Sequence, residues 1–460
     1  MSTKMPVYYI LNRPYLLRRW NNLSCGLVRQ DNGICFSIPE NMWTILECCD
    51  GSVDMQSVLM LPSQGKVFQE LIQRKIISPL TPGKPFDPIP EPRILPFDYV
   101  RSIHWSITGC CNLRCKHCYM SAPKRKYRDL SMKEIKDFIR QMADAEIHRV
   151  SITGGEPLIR KDFWQIIESL QSAGIHVDQI FTNGLLVSPR FLQRAKEMNL
   201  SCEFVLSYDG KGTHDWLRGI EGTEVQTIEA IRRIKAFGYP VAIETALYNE
   251  NLHTLLPTYE LLKSLNIDFW KSSLIVDCGE WKQQHQARVP IQRQLYTAYD
   301  QVIEQSRQDG FPMGIQLDGY YACQRKTGNA HVPYREKGQG CYSCMTCITQ
   351  PYLLPDGRLL PCPTFTDTPA AETMPFITDR TLSEIFQDVS GPFYQVTHIR
   401  PREIISRNQD CQDCVYRAQC GGGCRAMAQL SSGDVYGKDN TICSYFQNGY
   451  DDTGKRRISL

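Results

Sequence analysis

Three cysteines, Cys111, Cys115 and Cys118, follow one another at the spacing Cys-x3-Cys-x2-Cys. A metal site gathers its ligands around one point, so cysteines this close along a chain suit a single ion or cluster. Three thiolates are one short of closing a tetrahedral zinc site or of saturating a cubane iron–sulfur cluster. The position left open could take a substrate or a cofactor, which indicates a catalytic site. A zinc knuckle completed by His117 is the alternative.

A second and longer series of cysteines lies in the last third of the chain. Half of the 20 cysteines lie between Cys323 and Cys443, where long periodic helix or strand patterns are scarce. Apolar burial alone is a poor way to hold such a region together, so cross-linking through bound metal is the candidate. In a reducing compartment, clustered cysteines more often bind metal than form disulfides. A pair of zinc sites, each closed by four cysteines, is one interpretation of this series.

Between residues 99 and 310, short β-rich runs alternate with amphipathic helical patterns. The first helix has a capping signature at Ser131 and Glu134, and Ile135 and Phe138 begin its apolar face. Six such repeats predict parallel strands with right-handed crossovers, hence an α/β fold with a partial (β/α)6 barrel. Functional residues should gather at the carboxyl ends of the strands, and the first cysteine loop directly follows the first strand. The β-rich runs are Ile103–Thr108, Arg149–Thr153, Val177–Thr182, Glu203–Ser207, Val241–Leu247 and Phe269–Val276.

Residues 1–82 have the pattern of a small α+β unit. A turn at Asp31-Asn32-Gly33 separates two strand-like runs, and Pro39 begins a helical stripe. A second amphipathic stretch and a returning β pair complete an order that suggests a winged helix. The prolines within residues 83–98 predict a stiff linker behind this unit.

Charge and hydropathy restrict the partners of the protein. The chain has 460 residues with 52 Lys and Arg against 49 Asp and Glu, a formal net charge of +3. This balance gives no electrostatic case for nucleic acid or an anionic membrane as a partner. No apolar run approaches the ~18 to 20 residues that span a bilayer, and the N-terminus lacks the order of a signal peptide. We therefore expect a cytoplasmic protein without a membrane or nucleic-acid partner.

Short polar motifs follow the later strands of the predicted barrel. Thr153-Gly-Gly-Glu-Pro-Leu158 follows the second strand, Thr182-Asn-Gly184 the third and Leu206-Ser-Tyr-Asp-Gly210 the fourth, with Arg218 downstream. Paired glycines allow backbone carbonyls to approach an ammonium group closely, and an arginine fork suits a carboxylate. These motifs and the first cysteine loop, in this order at successive strand ends, resemble the radical S-adenosylmethionine (radical SAM) family over about residues 100–280.

The resemblance implies both a cofactor set and a chemistry. Cys111, Cys115 and Cys118 would hold a 4Fe–4S cluster whose open iron takes S-adenosylmethionine (SAM). The reduced cluster splits SAM to a 5′-deoxyadenosyl radical in this family, and the radical takes a hydrogen atom from the substrate. The implied SAM contacts are Gly154, Gly155, Glu156, Pro157, Asn183, Ser207 and Arg218.

The C-terminal cysteines resemble the SPASM extension of radical SAM enzymes that modify peptides and proteins. The resemblance implies two auxiliary 4Fe–4S clusters, three clusters in all, and a domain organisation of barrel 99–310, bridge 311–340, SPASM domain 341–448 and tail 449–460. Auxiliary cluster I would take Cys347, Cys362 and Cys424 with Cys341 as the fourth ligand, for which Cys344 competes. The implied ligands of auxiliary cluster II are Cys411, Cys414, Cys420 and Cys443.

The N-terminal unit resembles the winged-helix domains that bind leader peptides in enzymes that mature ribosomally made peptides. Such domains add the leader as a strand on a sheet edge. The resemblances together imply a precursor peptide as substrate, a reductant such as flavodoxin or ferredoxin, and an intramolecular cross-link as product. A thioether from a cysteine sulfur to carbon is the outcome that this domain order favours.

Other functions stay open at this point. Carbon–carbon or ether cross-linking and epimerisation use the same chemistry on a peptide. A maturase that oxidises a residue of a folded enzyme to formylglycine is disfavoured, because Pro363 stands where those relatives place an acidic residue after the cysteine. A small-molecule radical SAM enzyme would not need the first eighty residues. From a different class, a zinc-dependent regulator with a winged-helix DNA-binding head would be colourless and contain zinc.

Overall fold

The structure, a computed structural model, describes residues 6–59, 61–80, 91–284, 292–317 and 342–447. The predicted tail, most of the bridge, much of the linker and Cys341 lie outside these residues. No helix in the described ranges is both long and apolar enough to cross a membrane.

The N-terminal unit combines two small sheets with three helices around its own apolar core. The turn at Gly33, with φ +65°, joins the antiparallel strands β3 and β4, as the sequence predicts. Trp43, Ile45 and Leu71 are among the residues buried in this core. Its elements are β1 (Tyr9–Leu11), β2 (Tyr15–Trp20), β3 (Leu23–Arg29), β4 (Ile34–Ser37), α1 (Glu40–Glu47), α2 (Met55–Val58), α3 (Pro62–Gln73), β5 (Ile77–Pro79) and β6 (Arg93–Ile94).

A large, mostly parallel sheet forms the centre of the molecule. Its strands are β7 (Ile103–Ser106), β8 (Arg149–Thr153), β9 (His176–Thr182), β10 (Glu203–Ser207), β11 (Val241–Leu247), β12 (Phe269–Leu274), β13 (Gly314–Leu317), β14 (Tyr352–Leu353) and β15 (Leu359–Leu360). They lie in the order β13-β12-β11-β10-β9-β8-β7-β14-β15, and only the β14–β15 pair is antiparallel. The connecting helices are α4 (Met132–Asp144), α5 (Phe163–Ser172), α6 (Pro189–Glu197), α7 (His214–Arg218), α8 (Thr223–Ala236), α9 (Leu255–Ser264), α10 (Gly279–Gln284) and α11 (Gln292–Gln308).

The sheet contains more parallel strands than the six that the sequence predicts. β13 pairs with β12, within the predicted bridge, and β14 of the C-terminal region pairs with β7. Strands of four and two residues give too short an alternation to be recognised from sequence. The parallel α/β fold is therefore confirmed, and its row of strands is extended at both ends.

Local sequence signals account for the helices that position the strand ends. In α4, Ser131 Oγ accepts from the N–H of Glu134, and the Glu134 carboxylate accepts from the N–H of Ser131 at 2.8 Å. This reciprocal cap satisfies donors that the first helical turn leaves unpaired. Ile135, Phe138 and Met142 are fully buried against the sheet.

The C-terminal region is a set of short helices joined by loops, packed against the same core as the sheet. Few of these helices exceed two turns, so each presents a small apolar face. The helices are Met345–Thr349, Leu382–Gln387, Pro392–Thr397, Pro401–Arg407, Gln409–Gln412, Arg417–Cys420, Arg425–Ser432 and Asn440–Gln447.

Candidate functional site

The first cysteine loop begins at the carboxyl end of β7. Asp129 anchors its start, because one carboxylate oxygen accepts from Thr108 Oγ1 at 2.7 Å and the other from the N–H of Gly109 at 2.8 Å. Asp129 was not among the residues that the sequence singled out. Its partners lie about twenty positions earlier in the chain, so no local motif marks the contact.

The three thiols of this loop lie close enough to influence one another's pKa, and two of the sulfurs accept from a backbone N–H group. The N–H of Leu113 lies 3.4 Å from Cys111 Sγ, and the N–H of Ala122 lies 3.3 Å from Cys118 Sγ. Burial raises the pKa of Cys111 to about 12 and that of Cys118 to about 11, and the neighbouring Cys115 thiol adds to both. Three neighbouring cysteine sulfurs, two of them accepting from backbone N–H groups, are a donor set that suits an iron–sulfur cluster.

The zinc knuckle receives no support from the geometry. Within the residues that the structure describes, no three His, Cys, Asp or Glu side chains converge as ligands of one metal ion would. His117 Nδ1 is buried and has no hydrogen-bond partner in that part of the chain. Burial, together with the nearby Arg218 guanidinium, lowers the pKa of His117 to about 3.

The two glycines after β8 serve the packing of the cysteine loop. The N–H of Gly155 donates to the carbonyl of Thr108, and the N–H of Glu156 donates to the carbonyl of Cys110, both at 2.8 Å. A Cβ on Gly155 would lie 2.2 Å from the Cys110 oxygen, and a Cβ on Gly154 would lie 2.8 Å from the Thr108 oxygen. Only glycine permits this approach of the first and second strand ends. The contacts of Gly154, Gly155 and the buried Pro157 with SAM stay predictions.

Glu156 joins the second strand end to the third. The carboxylate is fully buried and accepts from Thr182 Oγ1 at 2.8 Å, from the N–H of Asn183 at 2.8 Å and from the N–H of Leu158 at 3.2 Å. Burial raises the pKa of Glu156 to about 7, although these donors favour the ionised form. Asn183 Nδ2 in turn donates to Asn112 Oδ1 at 2.7 Å, inside the cysteine loop. A contact of Glu156 or Asn183 with SAM stays a prediction.

The fourth strand end contributes a buried ion pair. Asp209 is fully buried and accepts from Arg218 Nε at 2.7 Å, from Arg218 Nη2 at 3.1 Å and from the N–H of Ala246 at 2.9 Å. Burial alone would raise the pKa of Asp209, but Arg218 and His214 hold it well below the usual range. Ser207, half-buried, ends β10 two residues before this carboxylate. Asp209 was missed by the sequence reasoning, although it stands within the motif that ends this strand.

Four cysteines of the C-terminal region form a first group. A hydrogen bond with Cys347 lowers the pKa of Cys344 to about 6. Cys347 also forms a hydrogen bond with Cys362. Desolvation of its sulfur, together with the nearby Cys362 and Cys344 thiols, raises the pKa of Cys424 to about 12. Cys344 thus lies near the three predicted ligands Cys347, Cys362 and Cys424. The predicted fourth ligand, Cys341, lies outside the described residues.

A second group contains the four cysteines that the sequence implies as ligands of auxiliary cluster II, namely Cys411, Cys414, Cys420 and Cys443. Burial raises the pKa of Cys420 to about 12, with contributions from the nearby thiols of Cys443 and Cys411. Burial raises the pKa of Cys443, and the nearby thiols of Cys411 and Cys414 contribute to the increase. These cysteines extend over more than thirty positions of the sequence, and the fold brings them close to one another. A shared cluster would require this proximity.

The chain is similar in sequence and in fold to known proteins. Residues 105–262 match the family model described as the Radical SAM superfamily. An AdoMet-dependent heme synthase of Methanosarcina barkeri is 23% identical over 369 residues, which cover 75% of this chain and 96% of the relative. Mycofactocin maturase MftC of Mycobacterium tuberculosis is 30% identical over 154 residues, 33% of this chain and 39% of the relative.

Among solved structures, Streptococcus suis SuiB bound to the precursor peptide SuiA superposes with a TM-score of 0.68 at 16% identity. The superposition covers 95% of this chain and 99% of SuiB, and at this identity it shows the fold. Residues 105–262 thus match the radical SAM family model, and they lie within an α/β fold of mostly parallel strands.

Proposed function

We propose that this protein is a radical SAM enzyme that matures a ribosomally made precursor peptide by installing an intramolecular thioether cross-link. One observation supports a peptide substrate, namely the open edge of β4 in the N-terminal unit. Strand β4 pairs with β3 and, within the described residues, with no strand on its other side. An open strand edge can accept an extended peptide as an additional strand. Phe36 on this strand is 45% exposed, which leaves an apolar contact for such a peptide.

The similarity to SuiB bound to its precursor peptide supports this proposal, because it extends over the N-terminal unit as well as the barrel. The similarity to mycofactocin maturase MftC is restricted to a third of this chain and supports the shared chemistry alone. SuiB has also been solved with S-adenosylmethionine bound, in a chain of the same fold.

The residues of the first loop would hold one 4Fe–4S cluster at Cys111, Cys115 and Cys118. With SAM bound, that cluster would supply the means of removing a hydrogen atom from an unactivated carbon. The chain itself contributes burial of the three sulfurs and the N–H groups of Leu113 and Ala122 that stabilise two thiolates. Asp129 fixes the loop at its start.

The C-terminal groups would hold two auxiliary clusters. We place Cys344, Cys347, Cys362 and Cys424 at the first, since Cys344 is hydrogen-bonded to Cys347 and lies near Cys362 and Cys424. Cys411, Cys414, Cys420 and Cys443 would hold the second. Joining sulfur to carbon removes two protons and two electrons from the peptide. One proton and one electron would leave together as the hydrogen atom taken by the 5′-deoxyadenosyl radical. The second proton would pass to a base or to solvent, and the second electron needs an acceptor near the substrate, for which an auxiliary cluster is suited.

A tetrapyrrole substrate is the second candidate, favoured by the 23% identity with the heme synthase over three quarters of the chain. The two candidates differ in what the N-terminal unit does. A tetrapyrrole enzyme does not need the open edge of β4, whereas a peptide maturase loses its substrate contact when that edge is blocked.

The experiment is anaerobic incubation with SAM, a reductant and the short peptides encoded beside the gene, read by mass spectrometry. We expect a product lighter by about two hydrogens, resistant to thiol alkylation at the linked cysteine. Phe36→Asp should lower peptide turnover and leave peptide-independent SAM cleavage unchanged, and Val225→Asp on α8, 60% exposed, is the matched control. An unchanged mass with deuterium uptake would indicate epimerisation, and turnover of a tetrapyrrole with no change in Phe36→Asp would favour the second candidate.

A further inference from the structure

Helix α7 is fixed directly to the first cysteine loop. The N–H of Arg114 donates to the carbonyl of Arg218 at 3.1 Å, and the N–H of Lys116 donates to the carbonyl of Leu217 at 2.9 Å. A Cβ on Gly219 would lie 2.4 Å from the Arg114 oxygen, so the backbones approach too closely for any other residue. The end of α7 and the loop therefore form one rigid piece.

Within this piece, the guanidinium of Arg218 faces a sulfur. Arg218 Nη1 lies 3.8 Å from Cys115 Sγ, and the residue is 8% exposed. Nε and Nη2 form a parallel pair of hydrogen bonds to the Asp209 carboxylate. Asp209 is held in turn by the N–H of Ala246 at the end of β11. The guanidinium is thus aimed at Cys115 by a buried carboxylate.

We propose that Arg218 acts on the cluster of the first loop, by stabilising the Cys115 thiolate, and does not bind the SAM carboxylate. The inference rests on the proposed function, since it assumes that the loop holds a cluster. Charge and hydrogen bonds at the sulfur ligands set the reduction potential of an iron–sulfur cluster. A positive group beside Cys115 favours the reduced, more negative state. Arg218 is a positioning residue, and Asp209 holds it in place.

The test compares Arg218→Gln, which removes the charge, with Arg218→Lys, which retains it. Both full-length proteins are reconstituted with iron and sulfide and titrated with a redox mediator. The signal followed is the electron paramagnetic resonance component that disappears in a Cys111, Cys115 and Cys118 triple alanine variant, so the auxiliary clusters do not contribute. The dissociation constant of SAM is measured on the same samples.

At a fixed applied potential, we expect Arg218→Gln to lower the ratio of reduced to oxidised cluster about tenfold, which is 59 mV for one electron. Arg218→Lys should recover most of that ratio, and both variants should bind SAM within about twofold of the wild type. A tenfold weaker SAM affinity with an unchanged ratio would overturn the proposal, and so would no change in either quantity.

Asp209→Asn keeps the test decisive if Arg218→Gln fails to take up iron. This variant keeps a side-chain oxygen that can accept from Arg218 Nε, leaves the positive charge and removes its neutralising partner, so the ratio should rise above that of the wild type. A lower ratio would overturn the proposal. If the wild type itself lacks the signal that the three cysteines account for, the proposed function fails, which is a separate result.

Discussion

The Asp439 carboxylate accepts a hydrogen bond from the N–H of Cys424, with 2.8 Å between Asp439 Oδ2 and the nitrogen. The carbonyl oxygen of Asp439 accepts from the N–H of Cys443 at 3.0 Å. Cys424 belongs to the first C-terminal cysteine group and Cys443 to the second. One buried residue therefore joins the two proposed auxiliary cluster sites, and Gly423 packs tightly against it.

Replacing Asp439 should deplete both C-terminal sites together. In Asp439→Ala the N–H of Cys424 loses its partner and the start of the helix Asn440–Gln447 loses its cap, so both groups lose a fixed ligand. Iron content measured after reconstitution should fall from about twelve to about four per chain. Asp434→Ala in the same loop, exposed and in contact with neither group, is the control. Loss of about four irons alone would contradict the coupling of the two sites.

The fourth ligand of the first C-terminal group is open to a direct comparison. Cys344→Ala should remove about four irons per chain, because Cys344 contacts Cys347 and lies near Cys362. Cys341→Ala, three positions earlier, is the matched control and should retain full iron. The reverse result would restore Cys341 as the ligand that the sequence series favours. Iron analysis and the visible absorption of the anaerobic protein provide the measurement.

The glycine pair after β8 can be tested through its packing role. A methyl group at Gly155 must displace the Cys110 carbonyl, which a Cβ would approach to 2.2 Å, and Cys111 is the next residue. Gly155→Ala should therefore lower iron uptake by the first loop and weaken SAM binding at least tenfold, as seen by equilibrium dialysis. Gly65→Ala on α3 has nothing within 4 Å of the added carbon and should behave as the wild type. Normal iron with weak SAM binding would instead favour a direct contact of Gly155 with SAM.

Local signals in the sequence were sufficient for the six central strands β7 to β12 and for the first cysteine loop. The capping pair Ser131 and Glu134 fixes the start of α4, and the spacing of Cys111, Cys115 and Cys118 places three thiols on one loop. These features depend on neighbours a few residues apart, which a sequence displays directly.

The contacts that orient the site could not be predicted in the same way. Asp129 and Asp439 act on backbone N–H groups about fifteen to twenty residues away, and a backbone group leaves no mark on the residue type. The resemblance to radical SAM enzymes implies that Arg218 contacts SAM, and this contact stays a prediction. The structure provides a carboxylate of its own, Asp209, which no rule of spacing identifies as the partner.

A buried charge cluster connects the N-terminal unit to the barrel. Glu146, just beyond α4, meets Arg18 of β2 at 2.9 Å, Arg93 of β6 at 2.6 Å and His148 Nε2 at 3.0 Å. The Glu146 side chain is 4% exposed. Burial alone would raise the pKa of Glu146, but His148 and Arg18 lower it to about 2 from an ordinary value of 4.5.

Because the pKa of Glu146 is lower in the folded than in the unfolded protein, its stabilising effect is complete above pH 4.5 and disappears as the pH falls towards 2. The shift corresponds to about 3 kcal/mol of unfolding free energy. Glu146→Gln should therefore lower the Tm by several degrees at pH 7, with a difference from the wild type that narrows between pH 5 and pH 3. Glu197→Gln on α6, exposed, is the control and should leave the Tm unchanged. A Tm difference that is constant across this pH range would mean that Glu146 contributes through packing and not through its charge.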